Sequence, residues 1–230
     1  ILELARKKKM SISRVEEYYN ALRTNIQLSG ENIRVIAISS TFPGEGKTTT
    51  STNLALTFAK AGHKTLLVDA DIRNSKMLGG VFKSDGKVTG LTEYLSGTTD
   101  LSQGLCETDE PNLFVVSSGQ ISPNPTALLQ SDRFATMMSV LRRHYDYIIV
   151  DTPPISMVVD ATLISRVCDA SLLVVAPKEV KRKMVQRSKM QLEQSSTPFL
   201  GVVLNKYNVE ADKYGFYGSY GHYGDNLSKE

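Results

Sequence analysis

Residues 40–50, Ser-Thr-Phe-Pro-Gly-Glu-Gly-Lys-Thr-Thr-Thr, constrain this chain more than any other stretch. The residues before them, Ile-Arg-Val-Ile-Ala-Ile-Ser at 33–39, are almost all apolar and predict a buried strand. From Thr48 to Ala61 there is neither Gly nor Pro, and Gly62 follows, so a helix closed by a C-terminal glycine is expected. Strand, glycine loop and helix, in that order, make a phosphate-binding loop. Gly44 and Gly46 let the backbone curl until successive N–H groups point into one hollow. The helix N-terminus adds partial positive charge there. In such a loop Pro43, Gly44, Glu45, Gly46, Lys47, Thr48 and Thr49 surround nucleotide phosphates; Lys47 reaches the β- and γ-oxygens, and the Thr48 hydroxyl ligates Mg²⁺. The usual pattern has glycine where Thr41 stands, so the loop departs from it at one position.

Length and charge bound the rest. At 230 residues the chain suits one α/β domain with tails, expected as a P-loop-type, mostly parallel sheet with helices on both faces. A formal charge of +3 is too mild to imply nucleic acid, and no nucleic-acid partner is expected. Cys106 and Cys168 lack any paired spacing and read as reduced residues, hence a cytosolic setting. No apolar run approaches the roughly 18 residues needed to cross a bilayer, and no signal peptide is recognisable. The basic run Arg6-Lys7-Lys8-Lys9 suits either an anionic surface or acidic partner, or a plainly solvated arm.

Along the chain, residues 13–28 predict a helix, with Ser13 and Glu16 as a capping-box pair and Val15, Tyr18, Tyr19, Leu22 and Ile26 at helical spacing. A second strand, residues 65–68, runs into Asp69-Ala70-Asp71-Ile72-Arg73. If the backbone stays extended, Asp69 and Asp71 project together, an arrangement that calls for a cation between them. Residues 74–111 read as a loop-and-helix excursion, 112–116 as a third strand, and 126–143 as one helix. Residues 147–154, Tyr-Ile-Ile-Val-Asp-Thr-Pro-Pro, end a strand in Asp151, where a Mg²⁺-assisting acid belongs beside a phosphate loop. Two more strands, 169–175 and 200–206, flank a helix over 180–194. Asn205-Lys206 resembles the start of a guanine-reading motif, but Asn208 replaces its aspartate; Asn205 is instead a candidate for an adenine edge.

From Tyr214 the chain reads Tyr-Gly-Phe-Tyr-Gly-Ser-Tyr-Gly-His-Tyr-Gly, with Tyr214, Tyr217, Tyr220 and Tyr223 each followed by glycine. That glycine content argues against helix and for a flexible, exposed tail. Composition leaves two readings open, an adhesive low-complexity end or four phosphorylatable hydroxyls.

The phosphate loop, Asp-x-Asp-x-Arg at 69–73, the apolar run ending in Asp151-Thr152-Pro153-Pro154 and the tyrosine cluster together resemble the bacterial tyrosine kinases of capsular polysaccharide systems in Gram-positive bacteria. The resemblance covers nearly the whole chain. It implies three segments: an N-terminal arm and oligomerisation helix at 1–30, a P-loop kinase domain at 31–206, and a tail at 207–230. ATP and Mg²⁺ are the implied cofactors. Lys47, Asp69 and Asp71 would be catalytic, with Asp69 accepting the tyrosine proton; Thr48, Asp71 and Asp151 would serve the metal; Tyr214, Tyr217, Tyr220 and Tyr223 would be the acceptors. A membrane-anchored activator of the co-polymerase type, a homo-oligomeric ring, a cognate tyrosine phosphatase and recruitment from the cytoplasm to the inner membrane face are implied as well. The family's oligomer motif, Glu-x-x-Arg-x-x-Arg, maps onto Glu17, Asn20 and Arg23, so its first arginine is missing. The competing reading is a partitioning-type switch ATPase, which carries a lysine early in the loop where this chain has Phe42 and has no use for the tyrosine tail. A non-enzymatic scaffold is a further rival, against which Lys47 and the three acids speak.

Overall fold

A computed structural model describes residues 1–4, 12–84 and 88–207. The tyrosine cluster and the basic run at 6–9 lie outside the described residues. In chain order the elements begin with β1 (Glu3–Leu4), α1 (Ile12–Ser29), β2 (Val35–Ser40), α2 (Lys47–Lys60), β3 (Thr65–Asp69), α3 (Met77–Gly80) and β4 (Phe82–Lys83). They continue with α4 (Leu91–Leu95), α5 (Leu101–Gly104), β5 (Leu105–Glu107), β6 (Leu113–Val116), α6 (Pro125–Leu129) and α7 (Asp132–Leu141). The last are β7 (Tyr147–Asp151), α8 (Asp160–Ser165), β8 (Ala170–Val175), α9 (Arg182–Glu193) and β9 (Phe199–Leu204).

Seven strands form one sheet in the order β5-β6-β3-β7-β2-β8-β9. Every pairing in it is parallel except β5 with β6. Strands β2, β3 and β8 are buried along their whole length, which explains their unbroken apolar runs: helices cover both faces. Neighbouring residues divide between those faces as the pleat requires. Val35, Ala37, Leu66, Val68, Ile148 and Val150 pack with Phe134, Met137 and Leu141 of α7. Ile36, Ile38, Leu67 and Ile149 pack instead with Leu54, Ala55 and Phe58 of α2 and Ile26 of α1. Leu173 and Val175 of β8 meet Leu192 of α9 and Ala161 of α8.

Three local expectations change. Helix α1 starts at Ile12, so Ser13 falls inside its first turn and is not the cap. The helix expected over 126–143 is two, because Ser131 is extended (φ −69°, ψ 151°) and starts α7 afresh after α6. Serine favours such caps over helix interiors. Strand β5 and the small β1–β4 sheet lie where a loop excursion and an N-terminal arm are expected. The glycine end of α2 is as expected: Gly62 takes φ +89° and its N–H donates to the Ala59 carbonyl at 2.9 Å.

Candidate active site

The site lies off the carboxyl ends of β2, β3 and β7, where an open parallel sheet presents its ligand crevice. Between β2 and α2 the loop holds Gly44 at φ +86° and Gly46 at φ +92°, conformations that favour glycine. A Cβ on Gly46 would sit 2.0 Å from Asn205 Nδ2, so glycine is also required there for space. Thr41 has no left-handed φ and needs no glycine; it is fully buried, and its carbonyl accepts from the Ser156 N–H and hydroxyl.

Glu45 does not face the cavity. Its carboxylate, 1% exposed, accepts from the Phe42 N–H at 2.6 Å and the Ala176 N–H at 3.1 Å. Asn205 Nδ2 donates to the Glu45 carbonyl at 2.8 Å. The loop is thereby latched from inside to the ends of β8 and β9. The Asn205 amide nitrogen is committed to this latch.

Around Lys47 the acids converge. Its Nζ lies 3.4 Å from Asp71 Oδ2, 3.5 Å from Asp151 Oδ2 and 3.3 Å from Thr48 Oγ1. Asp69 and Asp151 are direct register partners at the ends of β3 and β7. Thr48 Oγ1 donates to Asp151 Oδ2 at 2.6 Å, and Ser51 Oγ to Asp151 Oδ1 at 3.0 Å. The Ser75 hydroxyl donates to Asp69 Oδ2, while the Asp71 N–H points at Asp69 Oδ1 at 3.4 Å. Ser51 and Ser75 escape sequence reading, because one lies in a run of Ser and Thr and the other in a polar loop.

Burial governs the electrostatics. Asp69 is pushed up to about 7, first by desolvation and then by the Asp151 carboxylate. Asp151 also rises, burial outweighing Lys47 and the Thr48 and Ser51 hydroxyls. For Lys47, burial pulls its pKa down, but Asp151, Asp71 and Asp69 together outweigh it and leave it raised.

A cavity of about 310 Å³ opens above this cluster, lined among others by Pro43, Gly44, Lys47, Thr48, Asp71 and Arg73. Asp69 and Asp151 lie buried at strand ends and do not line it, nor do Glu45, Thr49 and Asn205. Arg73 is held at its edge by buried Asp160, Nε to Oδ2 at 2.6 Å, and by Thr126 at 2.8 Å. Glu17 and Arg23 lie away from the cavity on α1, Glu17 exposed and Arg23 half-buried, its Nε without a hydrogen-bond partner among the described residues.

Among the described residues no helix is long and apolar enough to cross a membrane. A family profile described as an AAA domain matches residues 33–187. The tyrosine-protein kinase CpsD of Streptococcus pneumoniae is 61% identical over 223 residues, 97% of this chain and 98% of that one. Among solved structures, the kinase domain of the Escherichia coli tyrosine kinase ETK superposes with a TM-score of 0.79 at 33% identity, covering 87% of this chain and 80% of that one. The chimerical protein CapA2B2 superposes at 0.78 and 33% identity, with 86% of each chain covered. Fold, phosphate loop and near full-length identity lead to one assignment: the chain belongs to the CpsD-type bacterial tyrosine-protein kinases, built on a nucleotide-binding P-loop fold.

Proposed function

We propose that this chain moves the γ-phosphoryl group of ATP onto its own tyrosines 214, 217, 220 and 223, and so regulates capsular or exopolysaccharide assembly. The observation that carries this reading is the gathering of Asp69, Asp71 and Asp151 around Lys47 at the start of α2. In it, Lys47 and the N–H groups of the loop hold phosphate oxygens. Asp69 accepts the phenolic proton. A carboxylate near 7 is a better match to tyrosine, whose pKa is about 10, than one near 4, and it is still largely ionised above neutrality. The remaining work is positioning and charge neutralisation.

Mg²⁺ accompanies ATP in this reading. Mg²⁺ takes one or two carboxylates and completes its shell with phosphate oxygens and water, and the Thr48 hydroxyl and the carboxylates of Asp71 and Asp151, gathered around Lys47, are a donor set of that kind. Thr48, Asp71 and Asp151 would hold it, and when bound it neutralises phosphate charge.

Residues 1–30 serve oligomer and partner contacts, 31–206 the chemistry, and 207–230 the acceptor tail. A membrane-anchored activator recruits the chain to the inner face of the membrane, a ring of like subunits forms, and a tyrosine phosphatase resets it. These assignments rest on the family. The test is intact mass after Mg-ATP, with and without the activator's cytoplasmic peptide. Up to four added phosphates are expected, and none in Lys47→Met or in the chain with all four tail tyrosines changed to Phe. ATP hydrolysis with no phosphate on protein, even with the peptide, would favour a switch ATPase instead.

A further inference from the structure

Among the described residues, the strongest charge feature outside the active site is the approach to α9. Residues 178–189 carry six basic side chains against one acid, Glu179. Lys178, Lys181, Arg182 and Lys183 are all exposed, and none of their side chains has an ion pair among the described residues. The first turn of this twelve-residue helix contains no acid. A helix N-terminus is itself positive, so cations gathered there repel both it and one another. An anion relieves that repulsion.

The chain's own tail starts beside this cluster. Lys206 Nζ pairs with Glu179 Oε1 at 3.0 Å, which brings the last described residues of the chain beside the segment that leads into α9. From Tyr207 to Tyr214 is seven residues, a reach of up to roughly 25 Å. Without phosphate the tail carries Glu210, Asp212, Asp225 and Glu230 against Lys213 and Lys229, a weak excess of acid. Each phosphotyrosine adds about −1.5 to −2 charges.

We propose that the exposed cations at the start of α9, Lys178, Lys181, Arg182 and Lys183, are a docking site for the phosphotyrosines of the chain's own C-terminal segment. The proposal rests on tail phosphorylation as read above. Neutral tyrosine has no dianion to offer, so the site separates product from substrate. Segment 176–181 leaves β8 beside the phosphate loop, where the Ala176 N–H meets Glu45, so the docking site lies at the same end of the sheet as the active site.

The test uses synthetic peptides of residues 208–230, with all four tyrosines phosphorylated or none, so its outcome does not depend on kinase activity. They are titrated into the full chain carrying Tyr214→Phe, Tyr217→Phe, Tyr220→Phe and Tyr223→Phe. The phosphorylated peptide should bind at least about tenfold more tightly at low salt, with the difference shrinking as salt rises. Lys181→Glu, Arg182→Glu and Lys183→Glu together should remove the difference while ATP binding and melting temperature stay as they were. Equal binding of the two peptides, or a preference that survives the charge reversal, overturns the proposal. Phosphatidylserine vesicles provide the other arm. If the reversal abolishes vesicle binding but leaves peptide binding intact, the patch faces lipid and the proposal fails.

Discussion

At the scale of single residues, the site holds charges where water is absent. Asp69 is the clearest case, raised from the ordinary carboxylate range to about 7 by burial and by Asp151. For the folded chain without nucleotide the sign follows directly. Between about 4 and 7 the native state holds a proton there that the unfolded state has lost. This contribution to stability is complete below the unfolded value and is lost as pH rises through 7. Activity runs the other way, because a base must be ionised. Phosphate incorporation at sub-saturating Mg-ATP, where the rate reports the free chain, should therefore rise with pH through about 7. Asp69→Asn should lower the rate by at least about 100-fold, and it should raise the melting temperature of the nucleotide-free chain at pH 8, since a desolvated charge is gone. A variant equally inactive but less stable at pH 8 would mean that Asp69 is chiefly structural. Ser51 offers a control below the cavity. It donates to Asp151 Oδ1 at 3.0 Å, and Ser51→Ala should cost about 1.5–3 kcal/mol in urea unfolding, as for a hydrogen bond to a charged group.

At the scale of elements, the phosphate loop is latched to the sheet by contacts that sequence does not display. The strand, loop and helix are legible from residues 33–62, because the pattern is local: apolar run, glycines, then uninterrupted helix formers. The latch is not legible, because its partners are distant in sequence. Glu45 reads as one more loop residue until the fold brings the Ala176 N–H to it, and nothing in the sequence around Asn205 shows that its amide nitrogen donates to the Glu45 carbonyl. The division of 126–143 into α6 and α7 is likewise hidden, since the apolar spacing runs through Gln130 and Ser131 without a Gly or Pro to mark the break. Removing the latch should loosen the loop without touching a phosphate ligand. Glu45→Ala leaves the Phe42 and Ala176 N–H groups unpaired at a buried position, costing roughly 2–5 kcal/mol for the two. The expected kinetic signature is a rise in KM for ATP of about tenfold with a smaller change in kcat, and Glu45→Gln, which keeps one acceptor oxygen, should recover part of it. An unchanged KM in Glu45→Ala would show that the loop holds its shape without the carboxylate.

At the scale of the whole molecule, the N-terminal strand is tied to the fold by residues far along the chain. The parallel sheet and its double cover are legible because such strands are apolar without alternation, and six such runs, one for each parallel strand, punctuate the sequence. Strand β5 is only Leu105–Glu107, too short to stand out, and the N-terminal pairing depends on contacts a hundred residues away. The Leu2 N–H donates to the Glu107 carbonyl at 2.8 Å, its own carbonyl accepts from Asp109 at 3.1 Å, and the Leu4 N–H reaches Asp109 Oδ1 at 3.0 Å. The Leu2 side chain, 2% exposed, belongs to the same core as Phe58 and Phe82. Deleting residues 1–4 should therefore open a hole in that core and strand the Glu107 carbonyl, at a cost of about 3–5 kcal/mol in denaturant unfolding. The seven-strand sheet, by contrast, is complete at Leu204. Ending the chain after Tyr207 should leave the unfolding free energy within about 0.5 kcal/mol and ATP binding unchanged, while tyrosine autophosphorylation disappears. If both truncations unfolded at the same denaturant concentration as the parent, the N-terminal strand would be an ornament on the fold. If the C-terminal truncation were the more damaging, residues 208–230 would belong to the folded body as well as supplying its substrate.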